Sequence, residues 1–353
     1  MRKTKVLVVD DSAYNRRTIT EMLEKSPHIE VLGTAADGEE GLKKALTLKP
    51  DIITLDLEMP VMDGFTLLRL LMTTFPIPVI VVSSRDDDAN VFKALELGAV
   101  DFLAKPTARI SKDLLNIEED IISKVMMVSQ LKMDNIQKRI VGARHPDTVP
   151  PRIPETIKST GSKGFDILAI GASTGGPPAL QSIFTSLPKD LPLSIIVSQH
   201  MPPGFTRAFA ERLNRLSALD VKEAESGDTI SKGRILIAPG GAHLTVKKQG
   251  KNAVAEISRK TPADMYAPSV DRMFSSVANN YKGNAIGLVL TGMGSDGKNG
   301  VIELKESDGF IIAESEESSI VYGMPKEAVK TGKVDKILPL SRIAGEIVNL
   351  CSA

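Results

Sequence analysis

The chain has 353 residues, enough for two domains of ordinary size, and its 44 Lys+Arg balance 44 Asp+Glu. That balance argues against a nucleic-acid partner and supplies no field toward an anionic membrane. A single cysteine, Cys351, excludes an internal disulfide, and no apolar run approaches a membrane span, so a cytoplasmic protein without direct membrane insertion is expected.

The first 110 residues alternate apolar strands with amphipathic helical stretches. Strands are expected at 5–10, 30–35, 52–56, 78–83 and 101–105, with helices at about 13–25, 38–48, 63–74 and 87–97. Val/Ile-rich runs alternating with helices point to a parallel sheet covered on both faces. The pattern stays helical from 111 to about 136, then loses periodicity over 138–164, a stretch with four prolines and few large apolar residues. A second α/β pattern starts at Phe165, with strands "DILAIGA", "LSIIVSQ", "ILIAPG", "AIGLVLTG" and "GFIIAE". The expected organisation is a first domain at 1–125, a helical extension and flexible linker at 126–164, and a second domain at 165–353. Both domains read as doubly wound, mainly parallel α/β sheets, which place working residues at the carboxyl ends of their strands.

In the first half those ends carry Asp10 and Asp11, then Asp56, then Ser83, then Lys105 before Pro106. A single Asp at a strand end is ordinarily a solvated turn residue. Five suitable residues at neighbouring strand ends fit that explanation poorly. Three carboxylates repel one another unless a cation sits among them, and such oxygen ligands suit Mg²⁺. A hydroxyl and an ammonium beside them are suited to the oxygens of a phosphoryl group on Asp56. The motifs "VLVVDDS", "LDLEMPVMDG", "VVSS" and "DFLAKP" make this half resemble the flavodoxin-like receiver domain of bacterial two-component response regulators. The resemblance implies that Asp56 takes phosphate from a histidine kinase. It also implies that Asp11, Asp56 and the backbone carbonyl of Glu58 hold Mg²⁺ with Asp10 close by, that Ser83 and Lys105 bind the phosphoryl group, and that Phe102 is an aromatic switch.

The second half opens on "GASTGGP". As a dinucleotide fingerprint it fails, because Ser173 occupies the middle glycine position. As G-x-S-x-G it fits at Gly171, Ser173 and Gly175, a strained turn that lifts a serine hydroxyl against a helix N-terminus supplying oxyanion donors. Alone the pattern also suits a structural or phosphate-binding turn. The chain has four histidines, of which His28 and His145 lie outside this half. His200 closes the strand "LSIIVSQH", and His243 lies in "APGGAHL", where it is free to shape a cleft wall. Asp296, in the loop after "AIGLVLTG", offers the carboxylate that orients an imidazole. Met293 N–H in that loop offers a second oxyanion donor. Ser173, His200 and Asp296 are therefore expected at three strand ends of one sheet.

The motifs "IGASTGGP", "SQHMPPGFT", "APGGAHL", "SVDRMF", "LTGMGSDG", "ESSIVYGMP" and "ILPL" make residues 165–350 resemble the CheB family of chemotaxis protein-glutamate methylesterases, with a Rossmann-like esterase domain. What the resemblance implies is hydrolysis of glutamate methyl esters on chemoreceptors, releasing methanol, with deamidation of selected glutamines and activation by receiver phosphorylation. It also places Thr174 and Met293 at the family's oxyanion site and cleft, and implies no cofactor for the esterase step. The sequence departs from the family at Gly241, where Asp is usual, and at Glu314, where Gln is usual. The alternative is a response regulator whose output domain binds a nucleotide without catalysis, which requires neither His200 nor Asp296.

Overall fold

The computed structural model describes residues 2–83, 88–105, 112–129, 164–250 and 252–352. Most of the expected 126–164 extension and linker, with His145, lies outside them, as does Pro106. The chain divides into two compact units, Met1–Pro146 and Asp147–Ala353.

The first unit runs β1 (Thr4–Val9), α1 (Ala13–Glu24), β2 (Ile29–Ala35), α2 (Gly38–Leu48), β3 (Ile52–Leu55), α3 (Gly64–Thr74), β4 (Val79–Ser83), α4 (Asp88–Glu96), β5 (Asp101–Ala104) and α5 (Lys112–Val128). The five strands are parallel in the order β2-β1-β3-β4-β5. β3 and β4 are buried along their whole length, as strands packed under helices on both faces must be. Ser12, Asp37 and Asp63 cap α1, α2 and α3 by accepting from backbone N–H groups of the first turns. These caps fix where each loop at the carboxyl edge becomes helix.

The second unit contains β6 (Ile167–Ala172), α6 (Gly176–Phe184), β7 (Ser194–Gln199), α7 (Phe205–Leu216), β8 (Asp220–Glu223), β9 (Arg234–Ile237), β10 (Ala242–Gln249) and β11 (Asn252–Arg259). It continues with α8 (Val270–Asn280), β12 (Ala285–Val289), α9 (Lys298–Glu306), β13 (Phe310–Glu314), α10 (Met324–Lys330), β14 (Lys336–Leu338) and α11 (Leu340–Ser352). Seven strands form a parallel sheet in the order β14-β13-β12-β6-β7-β9-β8. β6 is the topological switch: the chain leaves it toward β7 on one side and returns, more than a hundred residues later, as β12 on the other. Such a crevice is where a doubly wound sheet places its site.

Both β6 and β7 are buried at every position, with Phe184, Phe205 and Phe274 filling the layers beside the sheet. The sequence reading did not foresee the antiparallel pair β10–β11, nor the short strands β8 and β14. Lys247, Lys248 and Glu256 point to solvent along the hairpin, which dilutes its apolar alternation. β14 is three residues long and mostly exposed, too short to show any period.

Candidate active site

β1 and β3 are neighbours, and Asp56 N–H donates to the Val9 carbonyl at 2.8 Å, so the ends of both strands meet at one edge. Asp10 and Asp56 are buried there and Asp11 is exposed, and one carboxylate oxygen from each lies within 4.8 Å of the others. Lys105 Nζ donates to Asp56 Oδ2 at 2.6 Å and stands 3.9 Å from Asp10 Oδ2. Asp10 also accepts from Ser12 N–H at 2.8 Å and from the Asn15 amide. Burial, and then the charge of Asp56, push the Asp10 carboxyl up to about 6; burial likewise raises Asp56. One ammonium does not neutralise three carboxylates, and a hard oxygen donor set of this kind fits a divalent cation such as Mg²⁺. Ser83 is buried at the end of β4, and its carbonyl accepts from Lys105 N–H at 2.8 Å. Phe102 is buried on β5 with its ring edge-on to Phe92, 6.5 Å between centroids. Glu58 lies two residues beyond Asp56, its N–H 3.4 Å from Asp56 Oδ1.

In the second unit, β6 lies between β7 and β12. Ala172 pairs with Gln199, and His200 N–H donates to the Ala172 carbonyl at 2.9 Å, which puts His200 beside Ser173 on the next strand. On the other flank Ser173 N–H donates to the Thr291 carbonyl at 3.0 Å. The loop after β12 then returns Asp296 to the imidazole, with His200 Nε2 2.8 Å from Asp296 Oδ2. The three residues thus occupy three adjacent strand ends. With Nε2–H given to the carboxylate, Nδ1 is the ring atom left with a lone pair.

Asp296 is buried and sits on the N-terminus of α8. Its oxygens accept from Val270 N–H at 2.7 Å, Asp271 N–H at 2.9 Å, Gly297 N–H at 3.1 Å and the Ser269 hydroxyl at 3.1 Å. Burial pushes its pKa up, but the hydrogen bond and charge of His200 with the Asp271 and Val270 N–H groups outweigh that. The net direction is downward, so the group stays ionised.

The serine turn differs from the expected strained elbow. The residue in the left-handed region is Gly175, φ 77°, where a side chain would also collide with Ile320. Among the described non-glycine residues, positive φ occurs only at Lys49, Val61 and Asp308, so Ser173 carries no such strain. The helix end also offers fewer donors than expected. Gly176 N–H is used by the Ser173 carbonyl at 2.7 Å, and Pro177 and Pro178 have none. Gly292 approaches so closely that a Cβ there would lie 2.7 Å from Ser173 Cβ, which brings the Gly292–Met293 backbone against the serine. Thr174 is buried, and its carbonyl accepts from Thr291 Oγ1 at 2.9 Å.

Three supporting residues were missed in the sequence. Gln199, buried at the end of β7, donates through Nε2 to the carbonyls of both Ser173 and His200, each at 3.0 Å. Its signal was an amide closing an Ile/Val-centred strand directly before a histidine. Ser269 is the N-cap of α8, accepting from Arg272 N–H while donating to Asp296. Tyr266 lies parallel to the His200 ring, 4.7 Å between centroids and 6° between planes.

The two departures have local explanations. Glu314 is fully buried and accepts from Thr291 N–H at 2.8 Å through one oxygen and from the Ser318 hydroxyl at 2.9 Å through the other; an amide oxygen also performs the first, while its NH₂ would donate to the hydroxyl. Gly241 has φ 76°, a conformation glycine holds without strain. His243 is buried on β10 and stands away from the triad, with Nε2 3.2 Å from Asp264 Oδ2.

Comparison with known proteins matches residues 168–347 to the CheB methylesterase family and residues 6–115 to the response regulator receiver domain. The chain is 50% identical to a protein-glutamate methylesterase/protein-glutamine glutaminase of Geobacter sulfurreducens, covering 99% of this chain and 98% of that one. A protein of the same description from Pyrococcus horikoshii is 39% identical over 98% of this chain and 93% of its own. The crystal structure of the Thermotoga maritima CheB methylesterase catalytic domain superposes with a TM-score of 0.51 at 41% identity, over 53% of this chain and 98% of that domain. Among the described residues no helix is long and apolar enough to cross a membrane.

Proposed function

This chain belongs to the CheB methylesterase family, and on that premise we propose that Ser173, His200 and Asp296 carry its reaction. The chemistry is hydrolysis of glutamate methyl esters on chemoreceptors, releasing methanol, together with deamidation of receptor glutamines. The observation that carries the assignment is the 2.8 Å bond from His200 Nε2 to a buried, ionised Asp296, with Ser173 on the adjoining strand end. A nucleotide-binding output domain has no use for that pair.

His200 Nδ1 takes the Ser173 proton as Oγ attacks the γ-carbonyl. Asp296 keeps the imidazole in the tautomer that leaves Nδ1 basic, and stabilises the imidazolium once formed. Backbone N–H groups of Thr174 and Met293 receive the oxyanion. The imidazolium returns the proton to the departing methanol, or to ammonia when the substrate is glutamine. Water, activated by the same imidazole, then frees the glutamyl side chain and restores Ser173.

The receiver unit regulates this step. We assign Asp56 as phosphoacceptor for a histidine kinase, Ser83 and Lys105 as the groups that hold the phosphoryl oxygens, and Phe102 as the aromatic switch. Asp11, Asp56 and the Glu58 carbonyl, with Asp10 adjacent, hold Mg²⁺, which supplies positive charge for phosphoryl transfer. The residue boundaries 1–125 and 165–353 separate the regulator from the catalyst, and the reaction belongs in the cytoplasm, where receptor signalling helices lie.

The test is methanol release from methylated receptor membranes, with and without a small-molecule phosphodonor and Mg²⁺, using Ser173→Ala as the blank. Release that depends on Ser173 and rises with phosphodonor is expected. Undiminished release by Ser173→Ala overturns the nucleophile assignment, and release indifferent to phosphodonor overturns the assigned regulation.

A further inference from the structure

The carboxylate holds His200 at a single point. A bond from Nε2 to Asp296 fixes where the ring is anchored, yet leaves its plane free to swing about that contact. For Nδ1 to meet Ser173 on each turnover, the plane itself has to be fixed. The surface that fixes it is the ring of Tyr266, lying 6° from parallel with centroids 4.7 Å apart.

We propose that Tyr266 is a positioning residue for the catalytic imidazole, and that an Asp264–His243–Arg272 cluster anchors the loop that presents it. The inference rests on the assignment of His200 as the base. Tyr266 sits in the segment between β11 and α8, which has no regular structure of its own to hold a ring in place. Asp264, two residues earlier, supplies the hold. Its Oδ2 accepts from both the N–H and the hydroxyl of Thr261 at 2.7 Å, and its Oδ1 pairs with Arg272 on α8. His243 Nε2 reaches the same carboxylate from β10 at 3.2 Å. Three separate elements therefore converge on one side chain. The Thr261 N–H and hydroxyl, then His243 and Arg272, hold the Asp264 carboxyl well below the usual range, so it stays an anion. A second tie comes from Gly241 N–H, which donates to the Ala267 carbonyl at 3.1 Å. The far end of the phenol rests on Gly294, where a Cβ would lie 2.5 Å from the hydroxyl. The ring is thereby wedged between the imidazole and the loop carrying Asp296.

The arrangement gives His243 a purpose the reaction itself does not. It is fully buried, neither ring nitrogen makes a hydrogen bond of good geometry among the described residues, and the charged group it faces, 3.2 Å from Nε2, is the Asp264 anchor. The stack also acts in the transition state, when His200 becomes cationic. A cation over the face of a phenol is stabilised by the ring quadrupole, so the contact strengthens as the proton moves. Interactions stronger in the transition state raise kcat and leave KM alone.

The experiment measures methanol release by the full-length chain carrying Tyr266→Phe, Tyr266→Leu, Asp264→Asn or Asp264→Asn with Tyr266→Leu. Tyr266→Leu is expected to lower kcat about 5- to 30-fold with KM within about twofold, and Tyr266→Phe to retain kcat within about threefold. Asp264→Asn is expected to lower kcat, and to cost nothing further once Tyr266 is Leu. Equal losses for Phe and Leu, an effect confined to KM, or additive losses in the double variant each overturn the proposal. Proton NMR of the chain gives a reading independent of turnover. A stacked phenol shifts the His200 ring protons upfield, and Tyr266→Leu should return them toward the values of an exposed histidine. Unshifted His200 protons in the unsubstituted chain also overturn the proposal. Absence of methanol release by the unsubstituted chain counts against the esterase assignment, and leaves the NMR result to decide the stack.

Discussion

Asp296 gathers bonds from His200, from Ser269, Val270 and Asp271 at the N-terminus of α8, and from Gly297 at the start of α9. Asp296→Asn should lower kcat by about three to four orders of magnitude, because an amide favours the wrong imidazole tautomer. The same carboxylate links stability to pH. Its native pKa lies below the unfolded value of 3.8, so its contribution is present above that value and lost as pH falls through the depressed native one. Urea unfolding at pH 7 and pH 3 should show Asp296→Asn destabilised at the higher pH, by about 1–3 kcal/mol, with the gap narrowing at the lower. Glu314 invites the opposite expectation. Glu314→Gln keeps an acceptor for Thr291 N–H and should leave the urea midpoint nearly unchanged, whereas Glu314→Leu buries that N–H unpaired and should cost about 1–3 kcal/mol.

Among the elements, α8 does two jobs with one end. Its N-cap Ser269 accepts from Arg272 N–H while its hydroxyl donates to Asp296, so helix termination and triad geometry share a side chain. Ser269→Ala should cost about 1 kcal/mol in unfolding free energy and lower kcat with little change in KM, read from urea titrations and initial rates. The parallel strands were legible in the sequence because burial on both faces leaves uninterrupted Val/Ile runs, and the ends of β6, β7 and β12 were legible as the place for Ser173, His200 and Asp296. The β10–β11 hairpin was not, since its lysines break the apolar alternation. Nor was the role of Gln199 or Tyr266, because each acts through a contact between segments far apart in the chain. Which residue of the serine turn is left-handed was not legible either, for a related reason. A G-x-S-x-G pattern gives two glycines and a serine, and which of them bends depends on what Ile320, far away in sequence, leaves room for.

At the scale of the whole molecule, one unit carries the Asp10–Asp11–Asp56 edge and the other the Ser173–His200–Asp296 edge. A chain restricted to residues 165–353 should hydrolyse receptor esters faster than the unphosphorylated full chain, by the roughly 5- to 150-fold typical of coupled sites. Asp56→Asn in the full chain should hold activity at the unphosphorylated level whether or not phosphodonor is present. Both are measured by methanol release. Receiver and catalyst were each legible because their working residues stand at strand ends in chain order.

β6, the strand that ends at Ser173, has neighbours made far apart in time. β7 follows β6 within the next thirty residues, but β12, whose extension receives the Ser173 N–H, is synthesised more than a hundred residues later. Until it inserts, β6 is a bare apolar margin, open to pairing with another nascent chain. A polypeptide interrupted after β11 therefore presents an aggregation-prone flank and, on the proposed mechanism, a serine without its orienting carboxylate. On the proposed mechanism, hydrolysis by this chain reports that β12 and the loop bearing Asp296 have been made and docked on β6.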